Sequence, residues 1–175
     1  MGLIKKTSCL FIFLMLIVSF TSCQNSKFEK EVEKEKGAVK LSREVKKGGY
    51  NLVTTKELKK WIDDGKDMIV IDTMPYEDSY QKMHVSGAKH FLFPIPEMRT
   101  WDTSKTDGKS KDDYIALLGK NKNKTIVVVY CGFVKCTRSH NGAMWAKKLG
   151  YRQTFRYPGG IFAWKGAKYK IEKGG

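Results

Sequence analysis

Several features are scarce in this sequence, and each absence narrows what the protein can be. Its four cysteines are too few for a dense disulfide scaffold in 175 residues. It has no run of about 20 apolar residues, the length that a comfortable membrane-spanning helix needs. No internal repeat is visible, and there is no arginine-rich arm or aromatic-basic platform typical of nucleic-acid binders. With 41% apolar and 12% aromatic residues, the chain can bury the core of one compact domain without disulfides.

The N-terminus combines two lysines with a short apolar run over residues 9–18. This order is typical of a secretory signal peptide, and small residues follow it up to Cys23. The segment resembles a bacterial lipobox, in which the cysteine is diacylated and becomes the new N-terminus, although Phe20 stands where Leu is usual. We therefore predict a signal peptide over residues 1–22 and an exported cell-envelope lipoprotein, facing the periplasm or the outer surface and held at the membrane by lipid on Cys23. The alternative is a plain cleaved signal, with that cysteine as a bystander.

Charge divides the remaining chain into a tether and a domain. Residues 23–49 are rich in Lys and Glu and poor in apolar residues, so this segment cannot bury enough surface to hold a fold alone. We predict a lipidated, charged tether that ends at Gly48-Gly49. The formal charge of +15 favours anionic partners. Because the lysines are scattered over the whole chain, we expect a solvated basic surface and no nucleic-acid partner.

From Tyr50 onward, strand-like and helix-like patterns alternate, which predicts an α/β fold with a small parallel sheet and helices on both faces. The domain is predicted over residues 50–172. Predicted strands are Tyr50–Val53, Met68–Asp72, Ala88–Phe91, Thr125–Tyr130 and Thr154–Tyr157. Predicted helices are a segment capped by Thr54 or Thr55, Tyr76–Met83, Tyr114–Leu118, Ser139–Leu149 and a segment around Trp164.

Cys131 directly follows the most apolar predicted strand, at the sheet edge where parallel α/β proteins bind ligands. Three effects are expected to lower the pKa of a thiol placed there. The backbone N–H groups of a curled loop form an anion nest, and the following helix contributes positive charge at its N-terminus. Lys135 and Arg138 add full positive charges. Because the thiolate is the nucleophile, Cys131 is predicted to be the catalytic residue.

The order of motifs around this loop resembles that of the rhodanese-like sulfurtransferases, over nearly the whole domain. The matching elements are a strand ending in Asp with an acidic-aromatic helix start, a His-Ile-Pro-Gly-Ala element, the strand that delivers the active cysteine, and closing Gly-Tyr and Gly-Gly-x-x-x-Trp elements. In this sequence they are Val70-Ile71-Asp72 with Tyr76–Tyr80, His84-Val85-Ser86-Gly87-Ala88, Val128-Val129-Tyr130-Cys131, Gly150-Tyr151, and Tyr157-Pro158-Gly159-Gly160 with Trp164.

The resemblance implies sulfur transfer without a cofactor. The Cys131 thiolate would take the outer sulfur of an anionic donor such as thiosulfate, polysulfide or a persulfide. The resulting persulfide would pass that sulfur to a thiol acceptor, either a small molecule or a protein. Donor binding is assigned to the loop residues Gly132, Phe133, Val134, Lys135, Thr137, Arg138 and Ser139. The alternative is a sulfur carrier or thiol-redox module that uses a pair of cysteines without turnover.

The loop departs from the common family pattern, because six residues separate Cys131 from Arg138 where sulfurtransferases usually have four. The longer loop disfavours a phosphatase, because tetrahedral phosphate needs a closely fitting binding loop of one size. The same difference puts thiosulfate in question as the natural donor. The pattern Cys-x4-Cys-x2-Ser, with Cys136 inside the loop, resembles that of an exported subgroup. Two roles remain open for Cys136: resolving Cys131 as a disulfide, or packing the loop. Cys131, Cys136 and His140 form a Cys-x4-Cys-x3-His set, which is not a common zinc-binding spacing, so no metal is predicted.

Other residues in the matching motifs are expected to be structural. His84 is predicted to be a hydrogen-bonding residue, and Asp72 and Glu77 to satisfy loop amides or an ion pair. His140, in the first turn of its helix, is expected to face solvent or to support the site. Trp164 is predicted to lie in the core. The Gly159-Gly160 pair is expected to meet a backbone requirement for positive φ beside the active loop.

Overall fold

A computed structural model describes the backbone of residues 7–174 and the side chains of residues 27–174. The side chains on which the predicted signal peptide and lipidation at Cys23 depend lie outside these described residues. The first helix, α1 (Thr7–Gly48), carries exposed ion pairs such as Lys34–Glu31 at 2.9 Å. None of the helices in the described part of the chain combines the length and apolar character that crossing a bilayer requires.

The chain divides into two compact units, residues 1–40 and residues 41–175. The second unit holds seven strands and four further helices between residues 51 and 172. The strands are β1 (Asn51–Leu52), β2 (Met68–Asp72), β3 (His84–Val85), β4 (Lys89–His90), β5 (Ile126–Tyr130), β6 (Gln153–Tyr157) and β7 (Ile171–Glu172). The helices are α2 (Thr55–Asp63), α3 (Lys111–Leu118), α4 (Arg138–Lys148) and α5 (Gly160–Gly166).

Five strands form a parallel sheet in the order β1-β6-β5-β2-β4, which confirms the predicted α/β fold. The central strand β5 is apolar on both faces because each face is covered by helices. Val127 and Val129 belong to one core cluster with residues of α3 and α4. Val128 and Tyr130 belong to the other, with residues of α2 and α5. The short strands β3 and β7 pair antiparallel in a separate sheet.

The compact unit that holds the sheet begins at Leu41, so the end of α1 belongs to it. Several contacts hold this helix end in the unit. Glu44 is only 9% exposed and binds the buried Arg156, Val45 packs against the core, and Lys47 pairs with Glu97. A Lys/Glu-rich helix resembles a solvated tether in sequence, because the partner of its one buried acid lies more than one hundred residues away.

One local prediction is corrected, and another is narrowed to one of its two alternatives. The segment predicted as a helix over Tyr76–Met83 is a π-helical turn over Tyr76–Tyr80. His140 does not face solvent: it is buried and its Nδ1 lies 2.9 Å from the Tyr50 hydroxyl oxygen. This placement favours the other predicted role of His140, which is to support the site. Trp164 lies in the core as predicted, with 2% of its surface exposed.

Candidate active site

The sheet places Cys131 at its carboxyl edge, directly after β5. The neighbouring strand β2 ends in register with it, since Asp72 is opposite Tyr130. Burial raises the pKa of the Asp72 carboxyl to about 6, and its Oδ1 accepts the Met74 amide at 2.8 Å. That bond is the structural role predicted for this residue. His84 is likewise buried and hydrogen-bonded, with Nδ1 2.9 Å from the Tyr80 carbonyl oxygen.

The first turn of α5 is hydrogen-bonded to the backbone at the start of the active loop. The amides of Ile161 and Phe162 donate to the carbonyls of Cys131 and Gly132, each at 3.0 Å. This approach requires a glycine at position 160. Its φ of +59° confirms the predicted positive φ for one member of the glycine pair, and a Cβ there would collide with both loop carbonyls.

The Cys131 sulfur lies in a closed environment, with 1% of the residue exposed. The Ser139 hydroxyl oxygen is 3.2 Å away, and the Cys136 carbonyl oxygen is 3.3 Å away. The Ser139 amide also donates to this sulfur, and the Cys131 thiol lies within hydrogen-bonding reach of both the carbonyl oxygen and the sulfur of Cys136. Both cysteines are free thiols. The structure therefore brings the two thiols together, which their sequence spacing left open.

The expectation that the loop lowers the pKa of Cys131 is wrong for this reduced structure. Burial, followed by the hydrogen bond to Cys136, raises the pKa of the Cys131 thiol well above its usual value. The anion-stabilising groups converge on the other sulfur instead. The Cys131 thiol and the amides of Arg138 and Gly132 donate to Cys136, which lowers its pKa to about 6. The pair therefore loses its first proton from Cys136.

This ordering predicts the pH dependence of thiol alkylation. Iodoacetamide reacts with thiolates, so labelling of Cys136 should rise through about pH 6, where its proton leaves. Labelling of Cys131 should require a much higher pH, because its pKa is raised. Rates of labelling for each cysteine peptide, measured by mass spectrometry between pH 5 and pH 10, test this order. Faster labelling of Cys131 than of Cys136 at pH 7 would contradict it.

The residues predicted to bind the donor are distributed between the interior and the surface of the loop. Gly132 and Ser139 are buried, and Thr137 and Arg138 are partly buried. The Arg138 guanidinium donates to the Phe93 carbonyl, and its charge contributes to the lowered pKa of Cys136. The other three predicted residues are exposed at the mouth of the loop: Phe133, Val134 and Lys135.

Two exposed aromatic side chains, Phe133 and Phe162, form an apolar rim at this mouth. The rings of Phe133 and Phe162 stack with their centroids 5.6 Å apart, and both side chains are exposed. Beside them, a cavity of about 240 Å³ extends along α5 toward Asp72 and Met74. Phe162 therefore belongs both to the apolar rim and to the lining of this cavity, which includes neither thiol. Among residues 27–174, no three His, Cys, Asp or Glu side chains form a group that could hold a metal ion.

Sequence reasoning missed one residue of the site, Arg156 in the middle of β6. The side chain is completely buried and donates to the Ser139 hydroxyl and to loop carbonyls, while pairing with Glu44. A signal was present in the sequence, because an arginine stands between two aromatic residues in the predicted strand Thr154–Tyr157. Buried charges of this kind need a partner, which the sequence could not identify.

A family model described as Rhodanese-like domain matches residues 54–167. Curated protein sequences contain no significant match to the chain. A protein from Bacillus halodurans has a similar structure, with a TM-score of 0.54 and 20% sequence identity, over 78% of this chain and 86% of that chain.

Two structures with named activities are similar at the level of the fold. The polysulfide-sulfur transferase homodimer from Wolinella succinogenes has a TM-score of 0.54 and 16% identity, over 77% of this chain and 85% of that chain. The thiosulfate sulfurtransferase from Pseudomonas aeruginosa has a TM-score of 0.52 and 16% identity, over 75% of this chain but only 22% of that chain. At these identities the likeness concerns the fold alone.

Proposed function

Because the chain belongs to the rhodanese-like domain family, we propose that it is a sulfurtransferase that carries sulfane sulfur on Cys131. The donor is anionic, of the thiosulfate, polysulfide or persulfide class, and the acceptor is a thiol. The observation that carries this proposal is the placement of a cysteine at the end of the central strand, in contact with a second thiol and a hydroxyl. Related folds with sulfur-transferring activity support it.

Loading begins with proton movement between the two thiols. In the resting pair the Cys131 thiol donates to the Cys136 thiolate, so Cys136 is placed to take its proton as Cys131 attacks. With thiosulfate, the Cys131 sulfur bonds to the outer sulfur, the sulfur–sulfur bond of the donor breaks, and sulfite leaves with the bonding electron pair. The products are Cys131 persulfide and the protonated thiol of Cys136.

Ser139 and the loop backbone stabilise the charge during this step. The Ser139 hydroxyl and amide point at the Cys131 sulfur and favour its ionised form. In the second half-reaction the acceptor thiolate bonds to the outer sulfur of the persulfide, and Cys131 leaves as a thiolate that recovers its proton. The apolar rim at Phe133 and Phe162 suits an acceptor whose thiol is surrounded by apolar surface, whether a small molecule or a protein.

A second candidate function follows from the contact between the thiols. If Cys136 attacks the sulfur of Cys131 that is bonded to the sulfane sulfur, a Cys131–Cys136 disulfide forms and hydrosulfide leaves. The protein would then act as a thiol-redox module that releases the sulfur as hydrosulfide. If the persulfide instead persists without passing to an acceptor, the protein is a sulfur carrier. Both cysteines are free and share a hydrogen bond, which places them suitably for this reaction.

One mass measurement separates the two functions. The reduced protein is incubated with thiosulfate or polysulfide, and its intact mass is read before and after addition of cyanide or a thiol. A single added sulfur on the Cys131 peptide that disappears with acceptor is the result expected of the transferase. Loss of two hydrogens without a sulfur adduct would favour the redox module and overturn the transferase proposal.

The predicted lipid anchor is a separate proposal. We propose that the chain is an exported bacterial lipoprotein of the subgroup with the Cys-x4-Cys-x2-Ser loop, and that lipid on Cys23 holds it at the membrane. Support comes from the positive, apolar and small-residue order that precedes this cysteine. Labelled palmitate should enter the expressed protein, and Cys23→Ala should abolish the label. Labelling that persists in that variant would contradict the assignment.

A further inference from the structure

Arg156 is the best-connected buried side chain beneath the active loop. It is 0% exposed, lies in β6, and uses all five N–H donors of its guanidinium group. The acceptors are the Ser139 hydroxyl at 2.9 Å, the Cys136 carbonyl at 2.9 Å, the Val134 carbonyl at 3.3 Å, the Tyr50 hydroxyl at 3.2 Å and the Glu44 carboxylate at 2.5 Å. Three of these five belong to the loop that carries the thiols or to the start of α4.

The bond to Ser139 occupies one of the two lone pairs of its hydroxyl oxygen and so restrains the direction of the hydroxyl hydrogen. Arginine has no acceptor and does not lose its proton in proteins, so the Ser139 oxygen must accept from Arg156 Nε. Its own hydrogen is then free to point at the Cys131 sulfur, 3.2 Å away. A hydroxyl held in this way donates to the sulfur and favours the thiolate. Without the arginine, the same hydroxyl could rotate and accept from a neutral thiol.

The bond to Cys136 removes a repulsion at the same sulfur. The Cys136 carbonyl oxygen lies 3.3 Å from the Cys131 sulfur, and its partial negative charge opposes ionisation there. Arg156 Nη2 donates to this oxygen at 2.9 Å and withdraws part of that charge. Both contacts therefore act in the same direction, toward an ionised Cys131.

We propose that Arg156 is a positioning residue for the proposed sulfur transfer, which aims the Ser139 hydroxyl at Cys131 and reduces the negative charge on the Cys136 carbonyl oxygen beside its sulfur. Glu44, at the end of α1, compensates its charge and joins that helix to the active loop. This inference rests on the proposed function, because it gives Arg156 a role in sulfur transfer. Its test uses the ionisation of Cys131, which can be measured without any sulfur transfer.

The other titratable groups around Arg156 do not supply this effect. Burial raises the pKa of Tyr50 to about 12, so the phenol stays neutral. Its oxygen accepts from Arg156, so its hydrogen goes to His140 Nδ1 at 2.9 Å. Burial lowers the pKa of His140, which is therefore neutral at pH 7. The charges of Lys47 and Glu97 also act on His140, but they pair with each other at 2.6 Å.

The test compares two substitutions that remove opposite charges. Both are made in the full chain carrying Cys136→Ser, so that alkylation of the Cys131 peptide titrates a single thiol. Arg156→Met removes the donors and should raise the midpoint pH of Cys131 alkylation by about 1 pH unit, the lower end of the effect of a neighbouring charge. Glu44→Gln keeps an acceptor for Arg156 but removes the negative charge, so the midpoint should stay or fall.

A general loss of stability would shift the midpoint pH of Cys131 alkylation in the same direction in both variants. The two variants are therefore matched controls for each other. Near-UV circular dichroism and Tm confirm that each variant is folded. If Arg156→Met is not folded, Arg156→Lys replaces it: one ammonium group cannot serve Ser139, the carbonyls and Glu44 together, so an upward shift is again expected. Equal upward shifts in the Arg156 and Glu44 variants, or no upward shift at Arg156, would overturn the proposal.

A double substitution tests whether Arg156 acts through Ser139. Ser139→Ala should itself raise the midpoint pH, and adding Arg156→Met should raise it by less than the sum of the two separate shifts, because the shared hydrogen bond is already lost. Fully additive shifts would contradict a role through Ser139. These outcomes hold whether or not sulfur loading is observed, so failure of the proposed function and failure of this inference are distinguishable.

Discussion

Replacing Cys131 with serine should abolish sulfur loading, with a fall of at least about 1000-fold in the rate of sulfite release from thiosulfate. A hydroxyl cannot form the persulfide that the proposed cycle requires, and at neutral pH it is a much weaker nucleophile than a thiolate. The fold should survive, because serine is close in size and Ser139 can still contact it. Sulfite release and the intact mass after incubation with donor are the measurements.

Cys136→Ser is the matched control, since it removes the other thiol from the same loop. Loading should slow by about 100-fold at pH 7, because the group that takes the Cys131 proton is gone, and it should recover as the pH rises. The persulfide, once formed, should last longer because no neighbouring thiol attacks it. If Cys131→Ser still accumulated a sulfane sulfur on Cys136, that residue would be the sulfur acceptor and the assignment would be reversed.

Replacing Gly160 with alanine should have the largest effect on stability. A side chain is strained at its φ of +59°, and the new Cβ would lie 2.6 Å from the Gly132 carbonyl oxygen and collide with that of Cys131. Strain and overpacking together should lower the free energy of unfolding by about 3 kcal/mol. Because both carbonyls belong to the active loop, sulfur loading should fall as well.

Gly166→Ala is the comparison, because it lies at the other end of α5 with open space around its Cβ position. Its free energy of unfolding should stay the same or rise slightly, since alanine is the better helix former. Urea unfolding and sulfite release, measured on both variants, test the pair. Equal losses in the two variants would show that α5 tolerates glycine replacement poorly in general and that the close approach at Gly160 is not the cause.

The strands were the elements that could best be predicted from the sequence. The run before Cys131 is apolar at every position because β5 is covered on both faces, and the same pattern led to the parallel sheet and to the cysteine at its edge. Short elements were less readable. The segment Tyr76–Tyr80 has the composition of a helix start, but it forms only a short π-helical turn.

The electrostatics of the loop could not be predicted in the same way. Sequence reasoning correctly identified the groups that stabilise an anion, namely loop amides and Arg138, but assigned their effect to Cys131. In the folded loop the amides of Gly132 and Arg138 and the Arg138 charge act on Cys136, while Cys131 is more deeply buried and receives the Ser139 amide. The direction of a pKa shift depends on which sulfur the amides face, and that is decided by the curvature of the loop.

By itself, the sequence determined the α/β class, the place of Cys131 at the end of the central strand, and the need for a special glycine beside it. These properties follow from local periodicity and from backbone chemistry, which neighbouring residues express directly. Only the tertiary structure decided which thiol ionises first and which residues hold the loop. Arg156 and Glu44 are 112 positions apart, and they meet because a buried charge is tolerated only where folding brings an opposite charge to it.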